Sequence, residues 1–195
     1  MADVDAEAAR LLFARPAQFL LGVAKLDQLP PGELPEVAFA GRSNVGKSSL
    51  ITALVGQEGL ARTSNTPGRT QQSNMFERDG RLRLADLPGY GYAEAPRKLV
   101  ESWNRLSFAY LRGRPCLQRA LVLVDARHGL KATDEEAMET LGKAAVPYRI
   151  VLTKADLVRR TDLDDLLADL ARRLRLAPAV EAEPHVTRAK ARQGQ

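Results

Sequence analysis

The stretch Gly41-Arg42-Ser43-Asn44-Val45-Gly46-Lys47-Ser48 decides the fold, because it fits the phosphate-binding pattern G-x-x-x-x-G-K-[ST] at every fixed position. Glycines in such a loop allow successive backbone N–H groups to point inward at phosphate oxygens. In this pattern Lys47 reaches the β- and γ-phosphates, and the Ser48 hydroxyl takes one position around Mg²⁺. The stretch therefore predicts a nucleotide-phosphate site.

The residues on both sides of this loop have the order strand, loop, helix that the pattern requires. Residues 36–40 form a short apolar run that is typical of a strand. Residues 48–54 follow as a helix, whose positive dipole end faces the bound anion. The alternative, a flexible glycine turn that matches the pattern by chance, is disfavoured by these flanks.

The composition is that of one ordinary globular domain. The chain has 195 residues, 45% of them hydrophobic and 27% charged, which is enough for one buried core. The first seven residues carry acidic rather than basic side chains, and no apolar run approaches the ~18 residues of a membrane-spanning helix. We therefore expect a cytoplasmic protein that does not bind membranes.

Cysteine, histidine and net charge narrow the function further. A single cysteine excludes an internal disulfide, and two histidines are too few for a zinc cluster. A net charge of +5 favours an anionic partner, and the excess is concentrated between residues 97 and 119, where one acid, Glu101, stands among six basic residues. These are Arg97, Lys98, Arg105, Arg112, Arg114 and Arg119. The segment is either a contact surface or an ordinary solvated helix face.

The order of apolar runs predicts a doubly wound α/β domain. The turn signal Asp79-Gly80 lies between strand-like residues 73–77 and 81–86, which indicates a hairpin. Residues 120–125 and 148–152 are typical of parallel strands covered on both faces. Helices are expected over residues 6–13, 96–112, 133–143 and 161–176, and further strands over residues 19–24 and 184–187. We predict a P-loop NTPase fold with a mostly parallel sheet, an antiparallel edge, and a ligand beyond the carboxyl ends of the strands.

Two further motifs lie at strand ends. Residues 86–89, Asp-Leu-Pro-Gly, place a carboxylate where a water ligand of Mg²⁺ is needed, and the Gly89 N–H can meet a γ-phosphate. Residues 153–156, Thr-Lys-Ala-Asp, fit the guanine motif [NT]-K-x-D, in which the aspartate accepts hydrogen bonds from the N1–H and 2-amino groups of guanine. Adenine lacks that pair of donors. We therefore predict guanine selectivity.

With these motifs the chain resembles the EngB family of bacterial GTPases, also called YihA or YsxC. The resemblance extends from about Phe19 to Thr187 and is carried by residues 41–48, 66–70, 86–94 and 153–156. The run Asp-Leu-Pro-Gly-Tyr-Gly-Tyr-Ala from Asp86 is much more specific than a generic GTPase signature. The resemblance implies a Ras-like G domain with an extra N-terminal strand. It also implies binding of GTP and Mg²⁺, a role in assembly of the large ribosomal subunit, and a requirement for normal division septation.

The resemblance also implies roles for individual residues. Residues 41–48 hold phosphates, Ser48 and Thr70 ligate Mg²⁺, and hydrolysis depends on Lys47, Thr70 and Gly89. The first switch comprises Gly68, Arg69, Thr70, Gln71 and Gln72. The second switch begins with Asp86, Leu87, Pro88 and Gly89. Guanine is read by Thr153, Lys154, Ala155 and Asp156, supported by a loop of Val186, Thr187 and Arg188, where the family normally reads S-A or S-S.

Hydrolysis is expected to be slow. Tyr90 follows the second-switch motif at the position where Ras-type enzymes place the glutamine that orients the attacking water. A phenol does not replace that glutamine, so we expect intrinsic turnover far below ~1 s⁻¹. Asn44 occupies the P-loop position that potassium-stimulated bacterial GTPases share, so K⁺ is a secondary hypothesis for the missing positive charge.

Partners and domain limits complete the expectation. We expect residues 1–18 to be a flexible N-terminal extension and residues 19–195 to be a single G domain that acts as a monomer. The implied partners are the large ribosomal subunit or its assembly precursors, meaning ribosomal RNA and proteins. Two other functions stay open at this point: a nucleotide-gated binding module whose hydrolysis is incidental, and an ATPase or small-molecule kinase that shares only the P-loop.

Overall fold

A computed structural model describes residues 6–55, 72–90, 96–175, 177, 179–180 and 183–187 of the chain. The strands in these residues are β1 (Gln18–Val23), β2 (Glu36–Gly41), β3 (Ser73–Arg78), β4 (Leu82–Asp86), β5 (Leu117–Asp125), β6 (Tyr148–Thr153) and β7 (His185–Val186). The helices are α1 (Ala6–Ala14), α2 (Lys47–Val55), α3 (Arg97–Gly113), α4 (Ala132–Lys143) and α5 (Arg160–Leu174). Short 3₁₀ turns cover Leu26–Gln28 and Ala155–Leu157.

The strands form one sheet in the order β1-β3-β4-β2-β5-β6-β7. Strands β4, β2, β5, β6 and β7 pair in parallel, whereas β3 runs antiparallel to both of its neighbours, β1 and β4. This arrangement confirms the predicted P-loop fold, with its antiparallel edge and its extra N-terminal strand. Because the parallel strands all end at one edge, the loops that follow them gather there.

The hairpin between β3 and β4 forms where the sequence indicates it. Asp79 and Gly80 have φ angles of 56° and 61°, the pair of left-handed conformations that a two-residue type I′ turn needs. Aspartate and glycine are among the residues that adopt the left-handed conformation at least cost. The two-residue turn also sets the register in which β3 and β4 pair.

The two faces of the sheet are covered by different helices. On one face α2 packs through Ile51 and Val55 onto a cluster that includes Phe39, Phe76, Leu84 and Leu123. On the other face α3, α4 and α5 contribute Tyr110, Leu111, Ala137, Leu141, Leu163 and Leu170 to the larger core. Both clusters are buried, so the strands are held firmly behind the loops at the carboxyl edge.

Three details of the helices differ from the sequence prediction. The spacing of Leu99, Trp103, Leu106 and Tyr110 predicts one buried face of α3. The last three are buried, but Leu99 is 42% exposed. Arg114, one of the six basic residues for which we expected a contact surface or a solvated face, instead turns inward and forms two hydrogen bonds with the buried carboxylate of Glu36. Helix α4 begins one residue before Thr133. Its first turn is capped by the side chain of Asp134, which accepts the Lys131 N–H at 3.0 Å.

The N-terminal helix is attached to the sheet. The guanidinium of Arg78, at the end of β3, donates hydrogen bonds to the carbonyls of Leu12, Phe13 and Arg15. Flexibility of residues 1–18 concerns motion and stays a prediction. No helix within the described ranges is long and apolar enough to cross a membrane.

Candidate nucleotide site

A cavity of about 400 Å³ opens at the carboxyl edge of the sheet, where β2, β4 and β6 end. It is lined by Arg42, Ser43, Asn44, Gly46, Lys47, Ser48, Ser49, Gln72, Asn74, Asp86, Leu87, Pro88, Gly89 and Lys154. The phosphate loop, the second-switch motif and the lysine of the guanine motif therefore meet around one space. Its volume is in the range of small-ligand pockets, roughly 300–1,000 Å³.

The phosphate loop has the backbone that an anion site requires. Gly46 has a φ of +101°, a conformation that other residues rarely adopt, and Asn44 is left-handed at 62°. Helix α2 begins directly afterwards at Lys47, and its first helical hydrogen bond runs from the Leu50 N–H to the Gly46 carbonyl at 3.0 Å. The N–H groups of the first turn lack carbonyl partners within the helix, so they are available to phosphate oxygens.

Lys47 and Asp86 form a buried ion pair inside the cavity, with the lysine Nζ donating to Oδ1 of the aspartate. A nucleotide phosphate that enters this space competes with Asp86 for the ammonium group, because Lys47 projects from the loop that surrounds it. Asp86 and Ser48 both line this cavity. The two side chains offer the hard oxygen ligands that Mg²⁺ prefers.

The guanine motif is attached to the phosphate loop by side-chain hydrogen bonds. Thr153 Oγ1 donates to the Val45 carbonyl at 2.5 Å, and Lys154 Nζ donates to the Asn44 carbonyl at 2.6 Å. Lys154 Nζ also lies 3.0 Å from Oδ2 of Asp125 at the end of β5. Burial works to raise the pKa of Asp125, but hydrogen bonds from Arg127 and Lys154 outweigh it and hold the pKa well below its usual value. The lysine stem is therefore fixed along one wall of the site.

Asp156 presents an unused acceptor. Its Oδ1 atom is buried, and none of the groups in the described ranges donates a hydrogen bond to it. The end of β7 lies beside it in the fold, since the Ala155 N–H donates to the Thr187 carbonyl at 3.4 Å and the Thr187 N–H donates to Leu152 at 2.8 Å. A buried carboxylate oxygen without a partner is costly, unless a ligand supplies the donor.

Not every expected site residue can be placed around the cavity. Gly68, Arg69, Thr70, Gln71 and Arg188 lie outside the described residues. Gln72 lines the cavity, but the described residues Gly41, Val45, Thr153, Ala155, Asp156, Val186 and Thr187 do not. The Gly41 carbonyl accepts a hydrogen bond from the Tyr90 N–H, Val45 is buried in the smaller core cluster, and Ala155 donates to Thr187 as described above. The binding roles of all these residues stay predictions.

Asn74 was missed by the sequence analysis. It lies in β3 opposite Asp86 of β4, lines the cavity, and is only 5% exposed. Its Nδ2 group finds no acceptor in the described part of the chain. The sequence signal was weak: a polar residue at the start of a strand that follows the first switch. The strand pairing brings it to the aspartate.

Comparison with known proteins decides the family. A family profile described as "50S ribosome-binding GTPase" matches residues 36–154. The probable GTP-binding protein EngB of Ruegeria pomeroyi is 55% identical over 178 residues, which cover 91% of this chain and 82% of that protein. The chain belongs to the EngB family. The EngB protein of Rhodospirillum rubrum is 52% identical over 185 residues, 92% of this chain and 79% of its own length.

Solved structures agree on the fold. A crystal structure of a probable EngB GTP-binding protein has a TM-score of 0.62 at 22% identity, and covers 80% of this chain and 89% of its own. The Era protein of Aquifex aeolicus has a TM-score of 0.58 at 20% identity, and covers 80% of this chain and 51% of its own. Membership of the EngB family makes this chain a GTP-binding protein and a GTPase. It also removes the ATPase or kinase alternative.

Proposed function

We propose that this EngB-family GTPase is a nucleotide-dependent switch in the assembly of the large ribosomal subunit. The family profile that it matches is described as ribosome-binding. The observation that carries the proposal is a connection between the nucleotide site and a basic helix face. Helix α3 contacts the second-switch motif with its inner side and presents basic side chains on its outer side.

The inner side of α3 is joined to the second switch at two points. Ser107 Oγ donates a hydrogen bond to the Pro88 carbonyl at 3.3 Å, and both groups are buried. The ring of Phe108 stacks on Tyr90, with the two ring centroids 6.2 Å apart. A change at the second switch on exchange of GDP for GTP can therefore reach this helix through Pro88.

The outer side of α3 has a stripe of positive charge. Lys98, Arg105 and Arg112 are all exposed and lie seven residues apart, so they share one face over roughly 21 Å of helix. This basic stripe is long enough to follow a nucleic-acid backbone. We propose that it contacts ribosomal RNA through phosphates and shape, as proteins do on double-helical RNA.

The experiment is co-sedimentation with large-subunit particles in the GDP state and in the state with a non-hydrolysable GTP analogue, over a range of salt. Each phosphate contact releases counterions. Three contacts should therefore weaken binding by roughly 20- to 40-fold between 50 and 200 mM salt. We expect binding to differ between the two nucleotide states, and the variant Lys98→Glu/Arg105→Glu/Arg112→Glu to lose both the binding and most of its salt dependence.

The matched control is Arg160→Glu, a charge reversal at an exposed arginine on α5, which we expect to leave binding unchanged. Equal retention of the GDP and GTP-analogue forms would contradict the switch. Unchanged retention of the triple variant would show that the stripe is a solvated helix face.

We propose that Mg²⁺ accompanies the nucleotide. The chemistry of the donor set supports this, since Ser48 and Asp86 supply hydroxyl and carboxylate oxygen at the cavity and phosphates supply the remainder. Ser48 would hold the metal directly, joined by Thr70 of the first switch in the GTP state. Thr70→Ala is therefore expected to weaken binding of the GTP analogue and to spare GDP, and equal losses would contradict the assignment.

We propose that intrinsic hydrolysis is slow and that a partner accelerates it. The Tyr90 hydroxyl is engaged with Asp134 and is thereby withheld from an attacking water. K⁺ bound near Asn44 is one candidate for the missing positive charge. Single-turnover rates in KCl and NaCl test it, and equal rates would remove potassium from the account.

We propose, on family membership, that the protein acts in the cytoplasm and is required for normal septation. Depletion in the native bacterium tests this, with filamentous cells and accumulated large-subunit precursors as the expected result. Normal division after depletion would contradict the septation role.

A further inference from the structure

Tyr90 is bound to the phosphate loop through its backbone. Its N–H donates to the Gly41 carbonyl at 3.3 Å, and its carbonyl accepts the Ser43 N–H at 2.9 Å. The two hydrogen bonds form a parallel β-bridge between Arg42 and Tyr90. The first residue after the second-switch motif is therefore paired with the loop that surrounds the phosphates.

The side chain of Tyr90 is held just as firmly. Its hydroxyl donates to Oδ1 of Asp134 at 2.9 Å, and the other carboxylate oxygen, Oδ2, caps the first turn of α4. Tyr90 and Asp134 are each 1% exposed. The ring stacks on Phe108 of α3. Tyr90 thus connects the second switch to two helices as well as to the phosphate loop.

This attachment determines where Gly89 lies. Gly89 lines the cavity beside Asp86 and packs directly on the phosphate loop, since a Cβ at this position would lie 3.0 Å from Ser43 N and Cα. We propose that Tyr90 is a positioning residue that holds the Gly89 N–H where the terminal phosphate of GTP binds. The inference rests on the proposed placement of that phosphate beside Gly89.

The consequence is a preference between nucleotides. GDP lacks the γ-phosphate, which is the group expected to meet Gly89. The affinity for GDP therefore does not depend on the position of the Gly89 N–H. GTP gains the hydrogen bond only when Gly89 is held in place. Tyr90 therefore favours GTP over GDP, because only a difference in contacts between the two ligands changes their relative affinity.

Tyr90→Phe tests the proposal, with Tyr110→Phe as a matched control. Tyr110 is also buried and also donates its hydroxyl to a buried carboxylate, Glu36, at 2.5 Å. Glu36 begins β2, at the opposite edge of the sheet from the cavity. Both variants lose one buried hydrogen bond and should lose similar stability, but only one of the two bonds lies beside the nucleotide.

Dissociation constants for GDP and for a non-hydrolysable GTP analogue are measured for both variants. We expect Tyr90→Phe to weaken the analogue relative to GDP by about three- to tenfold, the range of one buried hydrogen bond, and Tyr110→Phe to leave the ratio unchanged. Asp134→Asn, which weakens the acceptor at nearly constant size, should shift the ratio in the same direction. An unchanged ratio in Tyr90→Phe, or the same shift in Tyr110→Phe, would overturn the proposal.

Gly89→Ala separates this inference from the one on which it rests. The added Cβ would press on the backbone at Ser43, so we expect a loss for the GTP analogue larger than that of Tyr90→Phe. If Gly89→Ala leaves the ratio unchanged, the terminal phosphate does not bind at Gly89. If Gly89→Ala weakens the GTP analogue relative to GDP and Tyr90→Phe does not, the terminal phosphate of GTP is correctly placed and the positioning role of Tyr90 is wrong.

Discussion

Asn74 is expected to favour nucleotide binding without stabilising the free protein. Asn74 lines the nucleotide cavity opposite the aspartate of the second switch, and its Nδ2 group is buried without an acceptor in the described residues. An unsatisfied buried donor costs about 1–3 kcal/mol, so the free protein gains nothing from the amide. We predict that a bound nucleotide or its ordered water supplies the missing acceptor.

We predict that Asn74→Ala lowers nucleotide affinity by about tenfold while the free energy of unfolding of the free protein stays the same or rises. Titration with GDP and the GTP analogue, together with urea unfolding without nucleotide, measures both effects. The control is Ser102→Ala, whose exposed hydroxyl donates to the Leu99 carbonyl of its own helix. A loss of stability in Asn74→Ala with unchanged affinity would contradict this account.

The residues that the sequence could identify belong to local patterns. The phosphate loop needs its glycines and Lys47 within eight consecutive positions, and the guanine motif needs four. Arg114 and Tyr90 could not be assigned in the same way. Arg114 acts on Glu36, and Tyr90 acts on Asp134, so each depends on a partner that only the folded chain brings close. From the sequence, Tyr90 follows the second-switch motif, but no local pattern indicates that its side chain is buried against Asp134.

At the scale of elements, Arg78 connects two helices. The guanidinium is fully buried and bonds the carbonyls at the end of α1, and its Nη2 donates to the Leu54 carbonyl at the end of α2 at 2.5 Å. The ring of Phe13 packs 4.7 Å from the guanidinium carbon. A cation at the carboxyl ends of two helices is favoured by both helix dipoles, and it satisfies carbonyls that have no partner within the helix.

We predict that Arg78→Met lowers the free energy of unfolding by about 2–4 kcal/mol, since the apolar stem is kept and the charged hydrogen bonds are lost. Arg81→Met, at an exposed position in the same hairpin, should change it by less than about 0.5 kcal/mol. Urea unfolding of both variants provides the comparison. Equal stability of the two would mean that α1 is not held by Arg78 and would favour a loosely attached N-terminal extension.

The element-level prediction from the sequence was accurate where the pattern was strong. The apolar runs of β5 and β6 and the Asp79-Gly80 turn all have the structure they indicate. The position of β1 beside β3 could not be derived in the same way, because a strand of six residues carries no information about which edge it joins. That choice depends on pairing between residues that are at least 50 positions apart, which a local pattern does not encode.

At the scale of the whole molecule, Glu36 links stability to pH. Burial works to raise the pKa of Glu36, but hydrogen bonds from Arg114 and Tyr110 outweigh it, so the pKa lies below its usual value. The unfolded chain therefore takes up this proton first. The stabilisation is present above the unfolded pKa of about 4.3 and is lost as the pH falls through the lower folded value. Asp125 contributes with the same sign. Asp134, whose pKa is raised by burial, contributes with the opposite sign.

We predict that the free energy of unfolding falls as the pH is lowered from about 5 to 3, and that Glu36→Gln flattens this dependence. The variant should also be less stable at neutral pH by about 3 kcal/mol or more, because Arg114 is left without its buried partner. Glu33→Gln, at an exposed position nearby, is the control and should leave the pH profile unchanged. An unaltered slope in Glu36→Gln would contradict the assignment.

We propose that this GTPase selects its base through Asp156. Nucleotide competition tests it most directly, with labelled GDP displaced by GTP, ATP or xanthosine triphosphate. We expect GTP, and not ATP, to displace labelled GDP from the wild-type protein. We also expect Asp156→Asn to exchange GTP for xanthosine triphosphate, because asparagine offers one donor and one acceptor where xanthine presents the complementary pair. Displacement by ATP as readily as by GTP, or an unchanged guanine preference in Asp156→Asn, would contradict the proposal.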